Sequence, residues 1–93
     1  MSNDIDLQLG RCLRRRRRDV GLTQEALGAA CGISFQQVQK YECAANRMSA
    51  VVLWRLARCL DVDVGYFYEG LRPEPGLRVG LGRASPPALS PAP

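Results

Sequence analysis

Apolar residues near the start of the chain recur at the spacing of one helix face. Leu9, Leu13 and Val20 lie on this stripe, and their period predicts a helix that begins at Ile5 or Asp6. We expect the stripe to face the core of the protein, because polar and charged residues occupy most of the remaining positions, as in an amphipathic helix.

Five successive arginines, residues 14–18, fall within this helix. A helix distributes consecutive residues round its circumference, so the run does not form one basic face. Arg16 lands inside the apolar stripe, where an uncompensated charge is costly. We expect its methylene groups to lie along the core while its guanidinium group reaches solvent. Arg17 falls at the edge of the stripe.

Residues 22–42 are typical of two short helices joined by a tight turn. Thr23 suits the N-cap of the first helix, because its hydroxyl can accept a bond from an unpaired backbone N–H. Gly32 can take the left-handed conformation that ends a helix. Ser34 and Gln37 have the S-x-x-Q spacing of a capping box, which predicts the start of the second helix.

The second of these helices has two different faces. At about 100° per residue, Val38 and Tyr41 share the face that we expect to be buried. The opposite face and its flanks carry amides and an ammonium group: Gln36, Gln37, Gln39 and Lys40. Glutamine can bond an adenine edge twice, and lysine reaches guanine acceptors or a phosphate. This outward face therefore suits insertion into the major groove of DNA.

Another helix is predicted from its cap at Ser49 to about Leu60. Its buried stripe comprises Leu53, Leu56, Ala57 and Leu60. Trp54 falls beside this stripe. Because a lone tryptophan is more often packed within its own domain than exposed, we expect Trp54 at the edge of the core, in preference to a subunit contact.

The C-terminal part of the chain changes character after Gly70. Residues 64–70 predict a last short helix, with Phe67 closing the bundle. The segment that follows contains all six prolines and three of the glycines, without helical or strand periodicity. Such composition is typical of disorder. We therefore predict one domain, residues 5–71, and a flexible tail, residues 72–93.

Basic residues are concentrated in the predicted domain. The chain carries 13 Lys and Arg against 9 Asp and Glu, and ten of the basic residues but three of the acidic ones lie between Arg11 and Arg58. The excess favours a polyanionic partner such as double-stranded DNA. From charge alone, a solvated basic surface explains it equally well.

No apolar run approaches the ~20 residues of a membrane span. The N-terminal sequence MSNDIDLQLG is acidic, unlike the basic start of a signal peptide. We therefore expect a cytoplasmic protein with no membrane partner.

The four cysteines, Cys12, Cys31, Cys43 and Cys59, lack C-x-x-C spacing, and the chain has no histidine. We therefore predict no metal site and no cofactor. We expect Cys31 and Cys59 at small apolar core positions, and Cys12 and Cys43 nearer the surface. Without histidine, paired carboxylates or a phosphate-binding glycine loop, the sequence does not favour an enzyme.

The sequence TQEALGAACGISFQQVQKYE, residues 23–42, resembles the helix-turn-helix of the Cro/cI-type (Xre) repressor family, and the similarity runs from Leu9 to Leu71. The residues that carry it are Thr23 and Gln24, Ala26, Ala30, Gly32 and Glu42, with LARCLDVDVGYFYEG further along. The resemblance implies an all-α fold: a compact five-helix, lambda-repressor-like bundle.

By this resemblance, Arg17 matches an arginine that forms an internal ion pair with Glu42, the residue that ends the second helix of the motif. Family members usually carry a glycine two residues after this glutamate, but this chain has Ala44. We expect the helix either to end differently or to continue through Cys43 and Ala45.

The outward face and the resemblance together predict the DNA contacts. Base contacts are assigned to Phe35, Gln36, Gln37 and Lys40. Phosphate contacts are assigned to Arg14, Thr23, Gln24, Gln39, Asn46 and Arg47. Phe35 either touches thymine methyl groups or folds back onto the domain as a staple, and an ordinary exposed loop is the alternative reading of Asn46 and Arg47.

These observations predict a sequence-specific transcriptional regulator that reads the major groove with residues 34–42. One such domain covers a few base pairs, so we expect a dimeric repressor with two half-sites. The resemblance assigns the homodimer contacts to Val64, Gly65 and Tyr68. The alternative is an antitoxin or adaptor whose main role is to bind a partner protein, because domains of this family also occur in antitoxins.

Overall fold

The computed structural model describes residues 4–71 and contains no strand within them. The helices are α1 (Asp4–Asp19), α2 (Gln24–Cys31), α3 (Phe35–Glu42), α4 (Ala50–Cys59) and a 3₁₀ helix (Val64–Tyr68). This confirms the predicted all-α bundle, whose fifth helix is the short 3₁₀ segment. The predicted tail, residues 72–93, lies outside the described part of the chain.

Side-chain hydroxyls cap the middle helices. Thr23 Oγ1 accepts a hydrogen bond of 2.9 Å from the backbone N–H of Ala26, and Ser34 Oγ accepts one of 3.1 Å from Gln37. Gly32 ends α2 in the left-handed conformation, with φ of 75°. The chain therefore reverses between α2 and α3 over three residues, which fixes the direction of α3.

The core is built from one face of each helix. Its largest fully buried side chains are Leu13, Leu27, Val38, Leu56, Leu60, Phe67 and Cys12. Phe67 closes the bundle as predicted, with its ring edge-on to Tyr66 at a centroid distance of 5.6 Å. Each helix buries its stripe against the others, and this packing stabilises α2, α3 and α4 in particular, because helices of 8 to 10 residues are not stable alone.

Gly10 allows α1 to approach the end of α3. A Cβ atom at this position would lie 2.6 Å from the carbonyl oxygen of Glu42 and 2.7 Å from that of Tyr41. Both atoms belong to backbone, which cannot move aside like the end of a flexible side chain. The absence of a side chain at Gly10 thus sets the separation of α1 and α3.

Two predicted core positions are exposed. The placement of Val20 on the buried stripe is wrong, because α1 ends at Asp19 and the chain turns at Gly21 with φ of 78°. The prediction for Trp54 is also wrong, since 56% of its surface is exposed. The guanidinium group of Arg58 lies 5.7 Å from the centre of the Trp54 ring, at the distance of a cation–π contact.

Two of the four cysteines differ from expectation. Cys31 is buried and Cys43 is exposed, as predicted, but Cys12 is buried and Cys59 is exposed. Desolvation by burial raises the pKa of the Cys12 thiol. Cys59 is the last residue of α4, so its side chain lies at the edge of the buried stripe.

The structure shows how the charge of Arg16 is accommodated within the apolar stripe and how the chain leaves α3 at Ala44. Arg16 is half-buried and its Nε donates to the carbonyl oxygen of Leu60 at 2.9 Å, so the charged group within the stripe is partnered. Ala44 has φ of 62°, the left-handed conformation that glycine adopts most readily. The helix therefore ends at Glu42 and does not continue through Ala45.

No helix within residues 4–71 combines the length and apolar character needed to cross a bilayer.

Candidate nucleic-acid interface

The outward face of α3 presents polar side chains to solvent. Gln36, Gln39 and Lys40 are exposed, and their side chains make no hydrogen bond within residues 4–71. Phe35, the first residue of the helix, has 36% of its surface exposed. The buried side chains of α3, Val38 and Tyr41, hold the opposite face in the core. The buried side chains therefore hold one face of α3 in the core, while the polar side chains of its outward face make no hydrogen bond within residues 4–71.

A cleft of about 330 Å³ lies where α1, α2 and α3 meet. It is lined by Arg14, Gln24, Gln39, Lys40, Glu42 and Cys43. Three of the predicted phosphate-contact residues and one predicted base-contact residue thus share one concave surface, although they come from three helices. The guanidinium and ammonium groups at its rim give it the chemistry of an anion-binding surface.

Arg17 and Glu42 form the polar centre beneath this cleft. Arg17 Nε lies 2.6 Å from Glu42 Oε2, and Arg17 Nη2 lies 3.1 Å from Glu42 Oε1. Arg17 Nη1 also donates to the carbonyl oxygen of Leu22 at 2.8 Å. The hydrogen bond to Glu42 raises the pKa of the Arg17 guanidinium above its usual value. Such a bidentate pair fixes both distance and orientation.

Gln24 connects this ion pair to the cleft. Its Nε2 donates to Glu42 Oε1 at 3.1 Å, and Arg14 Nε lies 4.0 Å from the same oxygen. An amide nitrogen carries two hydrogens, so one N–H donor of Gln24 remains after its bond to Glu42. Thr23 uses its hydroxyl oxygen as the cap of α2, where unpaired backbone N–H groups can also receive an anion.

Gln37 and Asn46 are engaged with the protein itself. Gln37 Nε2 donates to the hydroxyl of Tyr41 at 3.2 Å, and Gln37 Oε1 accepts from Asn46 Nδ2 at 3.4 Å. The capping-box expectation is therefore half right: Ser34 caps Gln37, but the Gln37 side chain does not return to Ser34. A base contact by Gln37 requires it to share or exchange these partners.

Arg47 is held by a partner that sequence reasoning missed. Its Nη2 lies 3.1 Å from Asp6 Oδ2, while its side chain is largely exposed. The two residues are 41 positions apart, and no local pattern could have linked them. A phosphate that binds Arg47 therefore competes with the Asp6 carboxylate at 3.1 Å, whereas Arg14 lies farther from its own carboxylate partner, with Nε 4.0 Å from Glu42 Oε1.

The three predicted dimer-contact residues, Val64, Gly65 and Tyr68, lie on the 3₁₀ helix, the last element of the described residues. Gly65 and Tyr68 are exposed and Val64 is half-buried. A second copy of the chain could reach all three, and their role stays a prediction.

Comparison with known proteins identifies the family. Residues 8–65 match the family model of a helix-turn-helix domain. An uncharacterized HTH-type transcriptional regulator of Sinorhizobium fredii is 42% identical over 81 residues, which is 87% of this chain and 56% of that protein. One of Rhizobium meliloti is 43% identical over 82 residues, which is 88% of this chain and 58% of that protein. The chain thus spans little more than half the length of these relatives.

Two solved structures share the architecture described above. The restriction-modification controller protein C.AhdI from Aeromonas hydrophila has a TM-score of 0.64 at 30% identity, over 66% of this chain and 92% of that one. The P22 c2 repressor, solved in complex with a synthetic operator, has a TM-score of 0.62 at 26% identity, over 67% of this chain and 94% of that one. The chain belongs to the helix-turn-helix family of transcriptional regulators, with a DNA-binding fold of the Cro/cI type.

Proposed function

We propose that the chain is a sequence-specific DNA-binding regulator that inserts α3 into the major groove and acts as a dimeric repressor. The observation that carries this proposal is the outward face of α3, where Gln36 and Lys40 are exposed and unbonded within residues 4–71. Their amide and ammonium groups match the hydrogen-bonding groups on purine edges. The buried half of α3 holds them on a rigid support, as base recognition requires.

Phosphate contacts would place α3 in register without reading sequence. The cleft lined by Arg14, Gln24 and Gln39 lies beside Lys40, so a phosphate bound there would seat the helix next to the bases. Arg47 and Asn46 follow α3 on the loop that leaves it. The P22 c2 repressor, which has a similar fold, was solved in complex with a synthetic operator, which supports DNA binding by a fold of this kind.

The dimer and the repressor role rest on separate arguments. A single α3 contacts a few base pairs, and two copies one helical turn of DNA apart would supply the missing specificity. The exposed Gly65 and Tyr68, with Val64 beside them, form the surface that we assign to the second copy. Repression follows if the bound dimer covers a promoter.

Selection of bound duplexes from a random pool tests the proposal. The parent should enrich one motif with two related half-sites. Gln36→Ala and Lys40→Ala should each relax the preference at one position per half-site, at a cost of about 1–3 kcal/mol if the contact is a good base contact. Arg55→Ala, which removes an exposed cation on α4, is the matched control and should leave the motif unchanged. A pool that shows no enrichment would refute base recognition by α3.

One observation favours the alternative of a protein-binding adaptor or antitoxin. Val51 and Trp54 lie three positions apart on α4 and expose 60% and 56% of their surfaces, and neighbouring exposed apolar side chains can form part of a protein contact. A partner that copurifies at fixed stoichiometry, and is lost in Trp54→Ser, would support this role. DNA affinity that survives Gln36→Ala without loss of sequence preference would support it further.

A further inference from the structure

Two cysteines from different helices meet at the side of the bundle. Cys31 is the last residue of α2 and Cys59 is the last residue of α4. Their sulfur atoms lie 3.0 Å apart, and both are free thiols. Each thiol also points at the other helix: Cys59 Sγ lies 3.6 Å from the carbonyl oxygen of Ala30, and Cys31 Sγ lies 4.0 Å from that of Arg55.

We propose that Cys31 and Cys59 are a peroxide-sensitive pair that forms a disulfide between α2 and α4. A disulfide has a sulfur–sulfur distance of about 2.0 Å, so the two atoms need to approach by about 1 Å. A shift of this size needs no change of fold, since both residues are the last of their helices. The other two cysteines do not belong to this pair, because Cys12 is buried beside Gln8 and Cys43 is exposed beyond α3.

Metal binding does not account for the pair. The residues that the structure describes contain no group of three or more His, Cys, Asp or Glu side chains placed to hold a metal ion. Two thiols without further ligands cannot complete a tetrahedral zinc site. Disulfide formation needs only the two sulfurs and an oxidant.

The surroundings of the two sulfurs assign them different steps. Cys59 is exposed, whereas Cys31 is buried. Burial, followed by the contact with Cys59, raises the pKa of the Cys31 thiol to about 12, so Cys31 stays protonated at neutral pH and does not react first. Cys59 is the sulfur that a peroxide in solvent can reach.

The reaction then balances in two steps. Cys59 sulfur attacks hydrogen peroxide, the O–O bond breaks, and a sulfenic acid and one water form. In the second step the Cys31 proton passes to the sulfenic oxygen of Cys59 as the Cys31 sulfur attacks the Cys59 sulfur; the S–S bond forms, the S–O bond breaks and a second water leaves. Overall, two thiols are oxidised by two electrons and one peroxide is reduced to two waters. A dithiol reductant reverses the change through thiol exchange.

The disulfide would close a loop of the chain that contains all of α3. Residues 31–59 would be joined at both ends, which restricts the unfolded chain more than the folded one. The midpoint of thermal unfolding should therefore rise on oxidation, on the order of 10 °C for a domain of this size. Peroxide would thus change the stability of the DNA-binding domain through residues that do not belong to the outward face of α3.

Peptide mapping of the full 93-residue chain tests the pair directly. The reduced protein is exposed to hydrogen peroxide, remaining thiols are alkylated, and trypsin separates all four cysteines, because each lies on a different tryptic peptide. We expect two thiols to be lost per chain, the intact mass to fall by about 2 Da before alkylation, and the peptides of residues 19–40 and 59–78 to be linked. Reductant should restore the thiols and the original unfolding midpoint.

Matched variants separate this pair from other oxidation. Cys43→Ser removes the other exposed thiol and should leave the 31–59 link intact. Cys59→Ser, at an exposed position, should stay folded by circular dichroism and lose both the link and the rise in unfolding midpoint. Four thiols that survive peroxide, a link to Cys12 or Cys43, or a link only between two chains would each overturn the proposal.

Discussion

Arg17 and Glu42 are each 8% exposed and are joined by two hydrogen bonds of 2.6 and 3.1 Å. The pair connects the last turn of α1 to the last residue of α3. Because Gln24 also donates to Glu42, one carboxylate fixes the three helices that line the cleft. The position of the candidate DNA-binding face therefore depends on a charge pair inside the domain.

Arg17→Ala and Glu42→Ala should each lower the free energy of unfolding by about 3 kcal/mol or more, because either change leaves a buried charge without its partner. Urea denaturation followed by circular dichroism measures this loss. Arg18→Ala removes the neighbouring arginine, which is exposed, and should change stability by less than about 0.5 kcal/mol. Parent-like stability of both pair variants would show that the ion pair does not hold the fold.

Gly10→Ala should destabilise the protein although alanine is the better helix former. The gain in helix propensity is about 1 kcal/mol, but the new Cβ would lie within 2.7 Å of two backbone carbonyl oxygens. Overpacking of this kind costs up to about 3 kcal/mol, so we expect a net loss of about 2 kcal/mol. Gly65→Ala is the control, since a Cβ there meets nothing of the same chain within 4 Å; both variants are measured at a concentration that keeps the chain monomeric, because Gly65 is assigned to the dimer contact. Equal stability of the two variants would contradict the close approach of α1 and α3.

Ala44→Gly should stabilise the protein by about 1 kcal/mol. Ala44 has φ of 62°, and the left-handed conformation costs a residue with a Cβ about 1–2 kcal/mol that glycine avoids. Part of this gain is offset because the buried methyl group is lost. Ala45→Gly, at a neighbouring position without positive φ, should give no gain. A less stable Ala44→Gly variant would mean that the packing of the methyl group outweighs the backbone strain.

Sequence patterns predicted those features that depend on local spacing. The caps at Thr23 and Ser34 and the left-handed Gly32 follow from a few consecutive residues, and the structure contains all three. The prediction for Val20 was wrong because the helical period of apolar residues continues past Asp19, where α1 ends. The prediction for Trp54 was wrong because the general tendency of tryptophan to be buried does not show which face of α4 a particular residue occupies.

Contacts between distant residues could not be found in this way. The partner of Arg47 is Asp6 in the first turn of α1, and the sulfur of Cys31 meets that of Cys59 across two helices. No spacing pattern in the sequence links the two residues of either pair. Arg17 and Glu42 were linked by family resemblance, because no local pattern joins residues 25 positions apart.

Cys31 should make stability depend on alkaline pH. Burial raises the pKa of its thiol from 9.0 to about 12, so the folded state holds a proton that the unfolded state releases. The corresponding stability is present below pH 9 and is lost as the pH rises towards 12. Under reducing conditions, the parent should lose about 1 kcal/mol more than Cys31→Ala between pH 8 and pH 10. Urea denaturation at both values measures this, and the same pH dependence in both proteins would contradict burial of the thiol.

Arg14 should contribute to DNA affinity through a phosphate and not through a base. Its exposed guanidinium lines the cleft beside Gln24 and Gln39, whereas Arg58 lies over Trp54 on α4. Arg14→Ala should weaken binding to all duplexes alike and reduce the slope of log K against log salt by about 1. Arg58→Ala removes the same charge and should leave the slope unchanged, as measured by fluorescence anisotropy between 50 and 200 mM salt. If both variants reduced the slope equally, net charge alone would explain the affinity and the cleft would have no special part in it.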